Sequence, residues 1–217
     1  MIDGVGVTVD EQAVVLTADQ LLSVVSSAPV RGGVVDARAF VNLHVGKHFA
    51  HVDLEAEVDA FARARELPQP WIGFLTAAAT ERAEVVWERV EDVVALAVVT
   101  VGLSRPIAAA TSAPVDAARV GTINAIVVVD ATLETAALVN AVMTVAEVKT
   151  AVLGAAGLRA DGAAATGTAT DAIAVAATQR GPRYAFAGPC TVPGSAVARA
   201  VQRALQRGVV RWIETHS

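Results

Sequence analysis

A chain of 217 residues, 54% of them hydrophobic and with a mean hydropathy of +0.51, can bury a sizeable core and reads as one domain over 1–217. Its formal charge of -5, with arginines scattered rather than clustered, excludes a nucleic-acid footprint, and the lone Cys190 excludes an intramolecular disulfide or a multi-cysteine zinc cage. The longest run free of Asp, Glu, Lys and Arg is the 15 residues Tyr184 to Ala198, short of the roughly 20 apolar residues of a membrane span. Asp3, Asp10 and Glu11 make the N-terminus unlike a secretory signal, so the expected location is the cytoplasm and the expected partner a small molecule or a protein. With aromatics at 4%, the core must be built largely of Ala and Val.

The first hundred residues read mostly as short Val-rich strands, among them Val5 to Val9, Ala13 to Thr17, Leu21 to Ser26 and Val93 to Val101. One helix interrupts them: the Asp53 carboxylate can cap Leu54 to Glu66, and Pro68 and Pro70 prevent its continuation. Ile72 to Ala77 reads as a buried strand, and Pro106 to Pro114 as a long surface loop. Beyond it come a strand at Ile123 to Val129, a long helix capped by Thr132 and ended by Gly157, a Gly-rich turn and a strand at Ala172 to Ala176. A last helix starts near Gly194, with Val197, Val201, Leu205 and Val209 as its packed stripe and Arg199, Arg203 and Arg207 turned to solvent. The expected fold class is α+β, a mixed sheet with antiparallel pairing in the first half, covered by the central and C-terminal helices.

On the central helix, Asn140, Thr144 and Glu147 recur at spacings that place them on one side of an otherwise apolar surface. Such a stripe either joins core elements in a polar network or lines a cavity; in a cavity, desolvation favours neutral Glu147 and suits it to proton transfer. Lys149 lies on the opposite side and is not expected to pair with Glu147. Thr122 and Asn124 flank Ile123 on a strand and so share a face. They either satisfy loop backbone or supply an oxyanion-binding amide and a nucleophilic hydroxyl. Thr166 to Asp171 concentrates hydroxyl and backbone donors but lacks the lysine and spacing of a phosphate-binding loop. His44, His48 and His51 cluster, yet Val45, Gly46 and the preceding Val41-Asn42-Leu43 argue against the helix that would aim two of them at one metal, so no metal site is expected.

Several motifs share an order and spacing across most of the chain. They are Ser26-Ser27-Ala28-Pro29-Val30-Arg31-Gly32-Gly33 followed by Asn42, then Gly73-Phe74-Leu75-Thr76-Ala77-Ala78 and Val101-Gly102-Leu103-Ser104. The later half adds Gly121-Thr122-Ile123-Asn124, Ala137-Leu138-Val139-Asn140-Ala141-Val142, Glu147-Val148-Lys149-Thr150 and Ala165 to Asp171. Together they resemble the adenosylcobinamide amidohydrolases. Two departures stand out: Ala169 replaces an expected Gly, and Gly188-Pro189-Cys190-Thr191 replaces a Gly-Thr-x-Thr stretch.

The resemblance implies hydrolysis of the amide joining aminopropanol to a corrin propionate, giving adenosylcobyric acid that can re-enter cobalamin assembly. The cobalt corrinoid is then substrate, with no resident cofactor. Ser26, Ser27, Gly32, Gly33, Asn42, Thr76, Asn140, Thr144, Thr166, Gly167, Thr168 and Thr170 are the expected substrate-binding positions. For the chemistry, Glu147 or Asp171 activates water and later protonates the amine, while Asn124 and Thr168 bind the oxyanion. A rival mechanism makes Thr122 the nucleophile, with or without prior self-cleavage at Gly121-Thr122. The rival function is a non-catalytic corrinoid carrier or storage protein using the same loops. A homodimer would hide part of so apolar a surface.

Overall fold

Strands buried on both faces carry unbroken apolar runs, and two such runs lie side by side at the centre of this fold. A computed structural model describes residues 1–46, 53–114 and 122–216. In chain order the main elements are β1 (Val5–Val9), β2 (Ala13–Ser26), β3 (Gly33–His44), α1 (Leu54–Ala64), β4 (Trp71–Thr76), β5 (Glu84–Val90) and β6 (Val93–Val101). They continue with β7 (Ile123–Val129), α2 (Thr135–Ala155), β8 (Ala172–Ala177) and α3 (Val192–His216). The central runs are β6 and β7, paired antiparallel from Ala95 opposite Val129 to Val101 opposite Ile123.

The spatial order is β4-β3-β2-β8-β7-β6-β5, with β1 on β2. Two pairs are parallel, β3 with β4 and β7 with β8, each joined by a crossover that contains α1 or α2 and returns the chain to the same end of the sheet. The sheet is mixed, as expected, with antiparallel pairing of β1, β2 and β3 early in the chain and the parallel β3–β4 pair beside them. The two expected segments at Ala13 to Thr17 and Leu21 to Ser26 are one strand, irregular between Thr17 and Leu22. That irregularity lets one half of β2 pair with β1 and the other with β8.

Alternation along the strands then sorts the side chains into three cores. Val93, Ala95, Ala97 and Val99 of β6, with Val127 and Val175, pack under α2 and α3. The opposite face, including Leu96, Val98, Ile126 and Val128, meets Leu16, Phe40, Ile72 and Phe74 of the other half of the sheet. Val58 and Ala62 of α1 cover the far side of that half against Val15, Val41 and Trp71. The layers therefore run helix, sheet, sheet, helix.

Asp53 caps α1 as its chemistry predicts, accepting from the Ala56 N–H at 3.0 Å, although the helix stops at Ala64. α2 begins at Thr135 rather than just after Thr132, because Thr132 and Leu133 pair in parallel with Arg183 and Tyr184. It closes where Gly157 adopts φ +72. By length and composition α2 could cross a membrane, with a mean hydropathy of 1.5; here its buried residues, Leu138, Val145 and Leu153 among them, join the core beneath α3. α3 starts two residues before Gly194, where Thr191 Oγ1 accepts from the Gly194 N–H. Its expected stripe is buried throughout. Arg203 differs from expectation: it pairs with Glu88 on β5, as Arg211 does with Glu84.

Candidate active site

Two neighbouring strand ends create the site. Thr122 sits immediately before β7, Asn124 faces Ala172 at the start of β8, and Thr100 on β6 faces Asn124. Asn124 Nδ2 donates to Asn42 Oδ1 and to the Leu75 carbonyl, both at 2.9 Å, and Asn42 Nδ2 donates to Thr100 Oγ1 at 2.9 Å. This relay stitches the two halves of the sheet together through their interior. Asn42, Thr100, Thr122 and Asn124 are all at most 2% exposed, so each polar group needs these partners. Thr122 Oγ1 donates to the Thr170 carbonyl at 2.8 Å and lies 3.3 Å from Asn124 Oδ1.

Asp171 ties this point to α2. Its Oδ1 accepts from the Ile123 N–H at 2.9 Å and from Thr168 Oγ1; its Oδ2 accepts from the Thr168 N–H at 3.0 Å and from Lys149 Nζ. The Lys149 and Asp171 side chains are 14% and 7% exposed. Gly167 makes their meeting possible: a Cβ there would stand 2.6 Å from Lys149 Nζ and closer still to Asp171 Oδ2. The turn thus works as a clamp on one carboxylate rather than as an open row of donors.

Beside this network lies a cavity of about 370 Å³ between the ends of β3, β4 and β6 and the last turns of α3. Val45, Ala77, Ala78, Ala79, Val101 and Gly102 line it together with Arg211, Trp212, Thr215 and His216 of α3. The Gly102 N–H donates to the Thr122 carbonyl at 2.9 Å, and a Cβ on Gly102 would touch both that carbonyl, at 3.2 Å, and the Ala78 Cβ, at 3.3 Å. Gly102 thus joins the cavity lining directly to the Thr122 backbone. The turn that shapes it is held by Thr76 Oγ1, which accepts from the Ala78 N–H at 3.0 Å.

A model of the adenosylcobinamide amidohydrolases matches residues 2–217, the whole length of the chain but one residue at its start. The chain belongs to that family. It is therefore a hydrolase of amide bonds, and an adenosylcobinamide amidohydrolase by family. No curated protein matches the chain. Among solved structures, it is similar to an L-aminopeptidase D-Ala-esterase/amidase from Ochrobactrum anthropi, described as a prototype for the serine aminopeptidases and a variant among the Ntn hydrolase fold. Identity is 10%, the match covers 96% of this chain and 84% of that one, and the TM-score is 0.39.

In this amidohydrolase the structure brings together Thr122, Asn124, Asn42, Thr168, Thr170 and Asp171. Glu147 is not among them: it is exposed on α2, and Asn140 is only half-buried there. The stripe fails because α2 is not buried all round, exposing Val139 and Met143 as well. Its third member, Thr144, is buried and donates to the Ala187 carbonyl at 3.2 Å. Asn124 does not offer a free amide N–H, since both are committed. Ser26 and Ser27 hold Ile173, the first donating to its carbonyl and the second accepting from its N–H, while Gly32 and Gly33 lead into β3. Thr166 anchors the loop after β6, accepting from the Ala109 N–H at 3.0 Å.

Of the two departures from the family pattern, Ala169 is exposed, and Thr191 Oγ1 donates to the Gly188 carbonyl within the cap of α3. His48, His51 and Gly121 lie outside the described residues. Lys149 is the residue that sequence reasoning missed. Its signal was present, a lone cation on an apolar helix, but its partner is 22 residues away in the chain.

Proposed function

We propose that this amidohydrolase cleaves the amide between aminopropanol and the corrin propionate of adenosylcobinamide, releasing adenosylcobyric acid for cobalamin salvage in the cytoplasm. The corrinoid, cobalt included, is substrate, and no resident cofactor takes part. One observation carries the reading: three separate family motifs, around Thr122, Lys149 and Asp171, converge on one buried point beside a cavity.

Amide hydrolysis needs a nucleophile, stabilisation of the oxyanion and a proton for the departing amine. Asp171 is committed to four donors and Asn124 to two acceptors, which makes both of them positioning residues. Thr122 is the nucleophile of this proposal. Its hydroxyl contacts a carbonyl and an amide oxygen, neither of them a base at neutral pH. The base that fits is its own α-amine, freed when water hydrolyses the peptide bond between residues 121 and 122 and leaves a carboxyl on residue 121, with an ordinary pKa of about 7.7 to 8.0.

The amine takes the hydroxyl proton as Oγ1 attacks the amide carbon. The tetrahedral oxyanion collapses, the C–N bond breaks, and the ammonium returns that proton to aminopropanol. Water, deprotonated by the same amine, then attacks the Thr122 ester; the C–Oγ1 bond breaks, the ammonium returns the proton to Oγ1, and the carboxylic acid is released. Lys149, with one of its three donors on Asp171, supplies the positive charge that favours the oxyanion.

Intact mass and aminopropanol release test this together. The active protein should run as two fragments, 1–121 and 122–217, while Thr122→Ala stays at 22.2 kDa and releases no aminopropanol. An active protein that is a single 22.2 kDa species removes the self-cleavage step. Tight corrinoid binding without product, by correctly folded protein, removes the hydrolase reading and leaves a carrier. Gel filtration with light scattering tests a homodimer.

A further inference from the structure

His44 stands at the mouth of the cavity, exposed, at the end of β3. Its Nδ1 lies 3.0 Å from the Ala78 carbonyl. A carbonyl only accepts, so Nδ1 carries the proton and the neutral ring keeps its lone pair on Nε2. That arrangement, one nitrogen pinned to a backbone carbonyl and the other left basic, is how proteins orient a histidine for a metal. The described residues contain no cluster of three or more His, Cys, Asp or Glu that would hold an ion of the protein's own. A single oriented imidazole instead suits a metal that arrives with its other ligands already in place.

A cobalt corrinoid is such a ligand. The ring supplies four equatorial nitrogens, and cobinamide, having lost the nucleotide base, leaves its lower axial position to water. We propose that His44 Nε2 takes that lower axial position on the bound corrinoid, with the ring lying across the cavity mouth and its aminopropanol-bearing arm directed inward. The inference rests on the hydrolase reading above and adds where and how the substrate is held.

The geometry links the two ends of such a substrate. The scissile carbonyl of cobinamide sits at the end of a propionate arm of the ring, so a cobalt ligand must stand close to the nucleophile. His44 is bonded to Ala78; Ala78 and Gly102 adjoin in the cavity wall; and Gly102 donates to Thr122. His216, the other histidine lining the cavity, is oriented in the same way, its Nδ1 lying 2.9 Å from the Trp212 carbonyl, but it stacks on Trp212 at 4.3 Å in the last turn of α3 and has no such link to Thr122 among the described residues. Arg82 and Ser104 on the lining are donors for the amide fringe of the ring.

The test uses cob(II)inamide as probe, with the whole protein, by electron paramagnetic resonance. An axial imidazole splits the cobalt hyperfine lines into triplets, and histidine labelled with the heavier nitrogen isotope turns each triplet into a doublet. His44→Ala should retain corrinoid on gel filtration but lose the splitting, added imidazole should restore it, and His216→Ala should keep it. Bound cob(II)inamide without nitrogen splitting overturns the proposal, as does loss of the splitting in His216→Ala but not in His44→Ala. If aminopropanol is still released in either case, the hydrolase reading stands without it. A folded protein that neither binds corrinoid nor releases aminopropanol defeats both.

Discussion

Lys149 and Asp171 form a buried ion pair between α2 and the turn that precedes β8, and Asp171 carries that tie on to the Ile123 N–H at the start of β7. Removing one partner of a buried pair strands the other charge in a dry site, at a cost of about 3 to 5 kcal/mol. Lys149→Met should therefore lower the unfolding free energy in urea by about 3 kcal/mol and cut aminopropanol release at least about tenfold. An unchanged urea midpoint would show that the pair is not holding these elements together.

The Asn42, Asn124 and Thr100 relay predicts a non-additive pair of substitutions. Asn124→Leu takes a donor from the Asn42 Oδ1 and from the Leu75 carbonyl and should cost about 2 to 6 kcal/mol, at about 1 to 3 for each unsatisfied buried group. Asn42→Leu in addition removes one of the orphaned acceptors, so the double variant should be more stable than the sum of the singles. Strict additivity in a double-mutant cycle contradicts the relay.

Glu147 is exposed and outside the network, which separates this structure from the polar-stripe expectation. Glu147→Gln should leave turnover within about twofold and stability within about 0.5 kcal/mol, as surface substitutions do. Steady-state kinetics with adenosylcobinamide decides it; a large fall in kcat returns Glu147 to the mechanism.

Asp10 gives an acid-dependent contribution to stability. Burial pushes its carboxyl up, but backbone N–H bonds from Ala13 and Gln12 and the Arg65 guanidinium together outweigh that and hold it below its ordinary 3.8. A carboxyl lowered on folding adds stability above its unfolded value, and that contribution is lost as pH falls through the folded one. The difference in Tm between the parent and Asp10→Asn should thus be fully present near neutral pH and shrink once the pH drops below 3.8. A difference that stays constant on acidification rules this out.

What could be read along the chain was whatever depends on near neighbours. Asp53 before Leu54, the spacing of Val197, Val201, Leu205 and Val209, and the unbroken apolar runs of β6 and β7 each act within one or two turns or one strand. β5 was missed because Glu84 and Glu88 look like surface charges until Arg211 and Arg203 arrive from α3. Glu147 was favoured over Lys149 for a similar reason, since exposure on a helix depends on what packs against it.

The sequence by itself determined the family, the local elements and the motif residues Thr122, Asn124 and Asp171, because these reside in residue identity and short spacing. Only the tertiary structure decided that Asp171 and Asn124 are saturated, that Lys149 rather than Glu147 joins them, and that His44 reaches Thr122 through Ala78 and Gly102. Those facts depend on contacts between residues far apart in the chain, formed when the two halves of the sheet close over one another and bury the groups that must then find partners.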